Sequence, residues 1–216
     1  MFTLAPFAQK QILDQQKIIC NNTRYGVCVA LCDHWLALVR EGGTTAEARM
    51  AQLAEPGRFA KVMGHQRIYQ HLRNRDGRAT ARKAVGAQVG IVYDRGEKTS
   101  ITERSFGAEQ HPKVLVLGVD ALQACLREDL RGFFQGATWT LRFRGGGGHA
   151  IAGFCSLRSP TNNFHVQHLH IFDPNLGEYE GGWGDLLGML GALMGPQGIY
   201  HDVVEIHRTG VGDIQS

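Results

Sequence analysis

His165-Val166-Gln167-His168-Leu169-His170-Ile171-Phe172-Asp173-Pro174-Asn175-Leu176-Gly177-Glu178 is the stretch on which the fold turns. Residues 165–172 read as a strand, and Pro174 closes it because proline has no N–H to continue a ladder. Asp173 then falls at the last strand position. A carboxylate there can be partly desolvated and still accept from an imidazole N–H. The same aspartate could equally be an ordinary Asp-Pro-Asn-Gly turn residue.

Strands flank this one. Ala137 to Phe143 alternates Thr138, Thr140, Arg142 against Trp139, Leu141, Phe143, a period-2 pattern. Another strand is expected at His149 to Leu157, a short one near Tyr179, and a last one at Ile199 to His207, with a helix over Trp183 to Met194 between them. The stripe Leu186, Leu187, Leu190, Leu193, Met194 on that helix reads as core. Upstream, Lys113 to Leu117 reads as a strand and Asp120 to Leu130 as a helix.

The first half is helical: Gln9 to Ile19, then Val27 to Arg40, where Val27, Leu31, Trp35 and Leu38 recur at helical spacing. Gly42-Gly43 stops that helix. Thr44 with Glu47 suggests a capping box for the next, which ends before Pro56. A fourth runs from about Arg58 to Arg75. Helices followed by consecutive strands predict an α+β fold with an antiparallel sheet. The expectation is a single domain over 1–216, with a helical part of about 1–130 and a sheet part of about 113–210.

The composition is ordinary for a globular chain: 43% apolar, 20% charged, a net charge of +3. No run approaches the 18 or more apolar residues of a membrane span, and no Sec signal opens the chain. Five cysteines without an export signal suggest reduced thiols. The bland net charge hides a basic block, Arg58, Lys61, Arg67, Arg73, Arg75, Arg78, Arg82 and Lys83 against Asp76 alone. Such a block is a solvated helix face, or a dock for an anionic membrane or an acidic partner through Arg67, Arg73 and Arg75. Aromatics are not interleaved as base stacking requires, so nucleic acid is not expected.

Three places carry chemistry. Gly26-Val27-Cys28 feeds a helix with Cys28 in its first turn, where unpaired N–H groups and the helix dipole favour a thiolate. The bland alternative is a buried thiol. Gly145 to Gly148 hand over to His149 at a strand start, and Gly147 and Gly148 would let a substrate backbone approach. A flexible hairpin with an incidental histidine fits the same text. The third is Asp173. Cys32 lies one turn from Cys28 and reads as packing beneath it, as do Cys20, Cys125 and Cys155. Adjacent Asp33 and His34 point in different directions on a helix and form no dyad. His165, His168 and His170 have no cysteine or carboxylate at a recognised ligand spacing, so no metal is expected, nor any cofactor.

The order of these motifs, Gly26-x-Cys28-x-x-Leu31 with Trp35, then His149, then Phe172-Asp173-Pro174-Asn175-Leu176-Gly177-Glu178, resembles the papain-like superfamily. Within it the text is similar to the YopT/AvrPphB-type cysteine proteases, effectors of bacterial pathogens. The resemblance covers about residues 20 to 180. It implies a papain-like fold with the catalytic helix packed on the antiparallel sheet, Cys28 as nucleophile, His149 as base and then acid, and Asp173 as orienting group. It also implies an amide ahead of the cysteine for the oxyanion, Asn22 first and Asn21 second, beside the Cys28 N–H. The expected activity is proteolysis of a host or competitor protein after delivery by a non-Sec route. A Cys-His amidase, deamidase or acyltransferase uses the same groups, and a non-enzymatic adaptor docking through 58–83 is the remaining alternative.

Overall fold

A computed structural model describes residues 1–15, 26–93, 98–101, 113–161, 164–194 and 203–211. A short strand, β1 (Thr3–Pro6), leads into α1 (Gln9–Gln15), and four helices follow: α2 (Cys28–Glu41), α3 (Ala46–Ala54), α4 (Pro56–Asp76) and α5 (Arg78–Ala87). Next come β2 (Lys98–Ile101) and α6 (Lys113–Asp129). The strands β3 (Gly136–Phe143), β4 (Gly148–Thr161), β5 (Phe164–Asp173) and β6 (Gly177–Gly181) run consecutively, before α7 (Leu186–Met194) and β7 (Val203–Val211). Among the described residues, the seven strands pair antiparallel in the order β1-β6-β5-β4-β3-β7-β2.

Alternation along the strands sends side chains to two helix layers. Ala150, Ala152, Phe154 and Phe172 meet α2 and its neighbours, while Trp139, Leu141, Ile151, Cys155, Leu169 and Ile171 meet α6 and α7. The two alanines leave room for α2 to lie close against β4. Trp35 stacks on Phe172, ring centroids 5.4 Å apart, and both are fully buried. Each such side chain contributes about 1.5–3 kcal/mol of transfer free energy. The catalytic-type helix on an antiparallel sheet, expected from the motifs, is the observed architecture.

Element by element there are departures. Lys113 to Leu117 opens helix α6 rather than forming a strand. The valines there lose to a 17-residue helix whose far half buries Leu122, Cys125 and Leu126, because β-propensity is weaker than packing. The cap of α3 is Thr45, whose Oγ1 accepts from Ala48 N–H at 3.2 Å, one residue beyond Thr44. Most of the 24-position step from His149 to Asp173 is strand, since β4 runs on to Thr161, which pairs with Phe164. On α7, Leu186, Leu190 and Leu193 are buried with Met189, but Leu187 is 57% exposed. Strands β1 and β2, at four residues each, carry no alternation that marks them in the sequence.

Gly177 turns β5 back into β6 with φ +123, and a Cβ there would overlap the Ala5 carbonyl oxygen of β1. Gly177→Ala is therefore expected to cost about 1–3 kcal/mol and to loosen β1 from the sheet edge. Limited proteolysis would report it as faster cleavage within residues 1–15 than in wild type.

Candidate active site

Gly26 adopts φ +85, which swings the chain into α2 and places Cys28 at the first helical residue, only 7% exposed. Two glutamine side chains satisfy backbone donors that the helix start leaves open. Gln9 Oε1 accepts from Val27 N–H at 2.9 Å, and Gln66 Oε1 accepts from Ala30 N–H at 3.1 Å. Neither glutamine stands out in the sequence.

His149 is the second residue of β4, opposite Leu141 of β3, and Asp173 is the last of β5. The geometry brings both to Cys28. His149 Nε2 donates to Asp173 Oδ1 at 3.1 Å, and its other ring nitrogen is left for the hydrogen bond with Cys28. Asp173 Oδ1 also accepts from Asn175 N–H at 2.7 Å, which fixes the carboxylate against its own turn. His149 is 5% exposed and Asp173 fully buried.

Electrostatics push the two reactive groups in opposite directions. Burial alone would raise the Cys28 thiol, but the hydrogen bond and charge of His149, the Ala150 N–H and the Arg82 guanidinium bring it below its ordinary value. Burial alone would lower His149, yet the charge and hydrogen bond of Asp173, with Cys28, hold it up to about 10. The pair therefore favours thiolate and imidazolium together. Cys32 beneath it is fully buried and pushed well up by that burial, so it stays a neutral thiol.

Arg82 departs from the basic-face reading of residues 58–83. It is 3% exposed on α5, 3.4 Å from the buried Asp33 Oδ1 and 5.3 Å over the Tyr93 ring. Tyr93 OH also donates to Asp33. His34, adjacent to Asp33, meets His65 instead at 3.0 Å. Arg67, Arg73 and Arg75 do lie exposed on α4.

A second polar cluster joins the helices to the sheet. Glu178 Oε2 accepts from Trp35 Nε1 at 2.8 Å and from Arg49 Nε at 2.9 Å; His170 Nδ1 lies 3.0 Å from Glu178 Oε1 and 3.1 Å from Glu180 Oε1. Carboxylates thus do approach the histidines of β5, from the adjacent strand β6, with Glu178 eight residues after His170. His170, Glu178 and Glu180 have donor atoms close enough for a metal. Arg49, however, binds both carboxylates and already supplies the cation.

Asn21, Asn22 and Cys20 lie outside the described residues. Gly147 sits in the turn between β3 and β4 with φ +82. Gly148 opens β4, where a Cβ would stand 3.0 Å from the Leu141 carbonyl oxygen. Cys125 and Cys155 are buried, and neither is in a disulfide.

The fold is similar to that of the Pseudomonas avirulence protein AvrPphB. That crystal structure aligns with a TM-score of 0.63 at 21% identity, covering 89% of this chain and 95% of that one. No curated protein matches the chain. The sequence profile of the C58 peptidases, described as Yersinia/Haemophilus virulence surface antigen, matches residues 5–181. The chain therefore belongs to the C58 peptidase family, a family of cysteine peptidase effectors.

Proposed function

We propose that the chain is a cysteine protease working through a Cys28-His149-Asp173 triad, delivered by a non-Sec route to cut a protein of a host or competitor cell. The observation that carries this is the relay of contacts: the thiol of Cys28 on His149, and His149 Nε2 on the buried Asp173 at 3.1 Å. In this reading the Cys28 thiolate attacks the scissile carbonyl carbon, and the carbonyl electron pair moves onto oxygen. The Cys28 N–H at the start of α2 is one donor to that oxyanion; Asn22, or else Asn21, is the other. Collapse expels the amine, which takes its proton from His149. His149 then takes a proton from water, the hydroxide adds to the thioester, and thiolate leaves. Gly147 and Gly148 border the substrate path, and residues 1–216 act as a single domain. Exposed Arg67, Arg73 and Arg75 would draw the enzyme to an anionic membrane or an acidic partner.

The opposed shifts of Cys28 and His149 predict a bell-shaped pH profile. Activity rises at a pH below the ordinary thiol value of 9.0, as the ion pair forms, and falls as His149 loses its proton near about 10. The test begins with iodoacetamide at pH 6, followed site by site by mass spectrometry. Cys28 should alkylate faster than free cysteine; equal or slower labelling sinks the triad. N-terminal proteomics on cell extracts treated with wild type or Cys28→Ala then identifies the substrate. Fast alkylation with no Cys28-dependent new N-termini would point instead to an amidase, deamidase or acyltransferase.

A further inference from the structure

Gln9 plays no part in the chemistry above, yet it is a polar side chain only 6% exposed with both ends of its amide engaged beside the triad. Its Oε1 accepts from Val27 N–H at 2.9 Å, one residue before Cys28. Its Nε2 donates to Asn175 Oδ1 at 2.7 Å, and its backbone N–H donates to the Pro174 carbonyl at 2.9 Å. Asn175 N–H in turn donates to Asp173 Oδ1 at 2.7 Å, the same oxygen that accepts from His149 at 3.1 Å. The contacts close a ring: Val27, Gln9, Asn175, Asp173, His149, Cys28.

We propose that Gln9 is a positioning residue, a strut between the turn that carries Cys28 and the turn that carries Asp173. The inference rests on the triad reading. Three further features fit a strut rather than an incidental contact. Gly26 has no Cβ, and one built there would press on Gln9 Oε1 at 3.1 Å, so the glycine leaves room for the amide. The segment before Gln9 is tied along the Asp-Pro-Asn-Leu-Gly turn. Pro6 pairs with Gly177, and Phe7 N–H donates to Leu176 O at 3.1 Å. Phe7 also packs edge-on against Phe172, centroids 5.8 Å apart, directly before Asp173. Residues 3 to 9 thus form a strap, and Gln9 is where it reaches across to α2.

A strut of this kind fixes a separation. Without it the Cys28 turn keeps its helix and Asp173 keeps its strand, but the tie through the Gln9 amide from Val27 to Asn175 is gone. The imidazole between them must then meet thiol and carboxylate at geometries that drift apart. A misplacement of about 1 Å can cost on the order of a hundredfold in rate. The loss falls on kcat, since the hydrogen bonds of Gln9 go to Val27, Pro174 and Asn175 and not to Gly147 or Gly148, which border the proposed substrate path.

The experiment measures Cys28 alkylation by iodoacetamide at pH 6 and pH 9, with kcat and KM once a substrate is in hand. It compares wild type, Gln9→Met, Gln9→Asn, Asn175→Ala and the control Lys10→Ala at an exposed neighbour. Gln9→Met keeps the length and loses both hydrogen bonds; Gln9→Asn keeps an amide that is one methylene too short, and covers the case in which the first variant does not fold. The groups that face Cys28 and set its titration are His149 from β4, Arg82 from α5, Cys32 on its own helix and Tyr69 from α4, none of which is altered. Each Gln9 variant should lower the pH 6 to pH 9 labelling ratio and kcat by roughly tenfold to a hundredfold, with KM little changed. Adding Asn175→Ala to Gln9→Met should cost nothing further, because both cut one strut. A folded Gln9 variant with the wild-type ratio and kcat, altered only in melting temperature, overturns the proposal and leaves the triad standing. Wild type that labels no faster than free cysteine at pH 6 removes both.

Discussion

Cys28→Ala is expected to abolish peptide-bond cleavage while the protein keeps its fold, and His149→Ala to do the same, each loss on the order of 10⁶-fold. The double variant should be no worse than either single, because thiolate and imidazolium act as one unit. The fold should survive Cys28→Ala because the thiol is small and His149 retains Asp173 as a partner at 3.1 Å. Asp173→Asn tests the third member more subtly. Its Oδ1 accepts from both His149 Nε2–H and Asn175 N–H, and an asparagine oxygen in the same place keeps both bonds. What disappears is the charge, one of the influences that hold His149 up to about 10. The expected loss in kcat is roughly 10⁴-fold, and the basic limb of the pH profile should move to lower pH. A drop in kcat with that limb unmoved would mean that Asp173 serves the turn and not the imidazole. All variants are read as purified protein on one substrate, with near-ultraviolet circular dichroism confirming native packing.

The three positions proposed for the triad stand out in the sequence because each sits at the end of an element whose boundary is written locally. Gly26 announces the start of α2, the glycine run announces β4, and Pro174 ends β5. The groups that hold those positions were not legible, because their partners are remote. Trp35 and Glu178 are 143 residues apart, Arg49 and Glu178 129, Gln9 and Asn175 166. No spacing rule reaches across such distances. Arg82 is different. Its neighbours Ala81, Val85 and Gly86 are buried with it, a helical stripe that the sequence does contain, and the charge run around it masked the one arginine on the inner face. Helix α6 was misread at its start for a related reason. A valine-rich run of five residues has the local look of a strand, and only continuity with Leu122, Cys125 and Leu126 makes it helix.

Glu178→Gln should destabilise the fold by about 3 kcal/mol, the low end of the cost of breaking a buried ion pair. Glu178 is fully buried, and it is where α2 and α3 are fastened to β6. Trp35 of α2 donates to it at 2.8 Å, Arg49 of α3 at 2.9 Å, and His170 of β5 lies 3.0 Å away. Burial would raise its carboxyl, but those hydrogen bonds and the Arg49 charge hold it below the usual range. A glutamine of equal size keeps the packing and strands a guanidinium on Glu180 alone. For a chain of this length the loss corresponds to a fall in melting temperature of roughly 6–12 °C. Replacing Arg49 and Glu178 together by methionine should cost less than Glu178→Gln, since the buried guanidinium then leaves with its partner and His170 keeps Glu180 at 3.1 Å. The cluster also sets a pH window. His170 is pulled down by burial and raised more strongly by its carboxylate partners, so its folded pKa exceeds the unfolded value of 6.5. Its contribution is whole below 6.5 and is lost as pH rises through the raised value. Glu178 is lowered, so its contribution is whole above 4.5 and is lost as pH falls through the depressed value. Wild-type stability from this cluster should therefore be flat between about 4.5 and 6.5 and decline on both sides. In Glu178→Gln the alkaline decline should still begin near 6.5 but end at lower pH and be smaller, because His170 has lost one of the two charges that raise it. Calorimetry across that range reads both effects, and an alkaline limb identical in wild type and variant would separate His170 from Glu178.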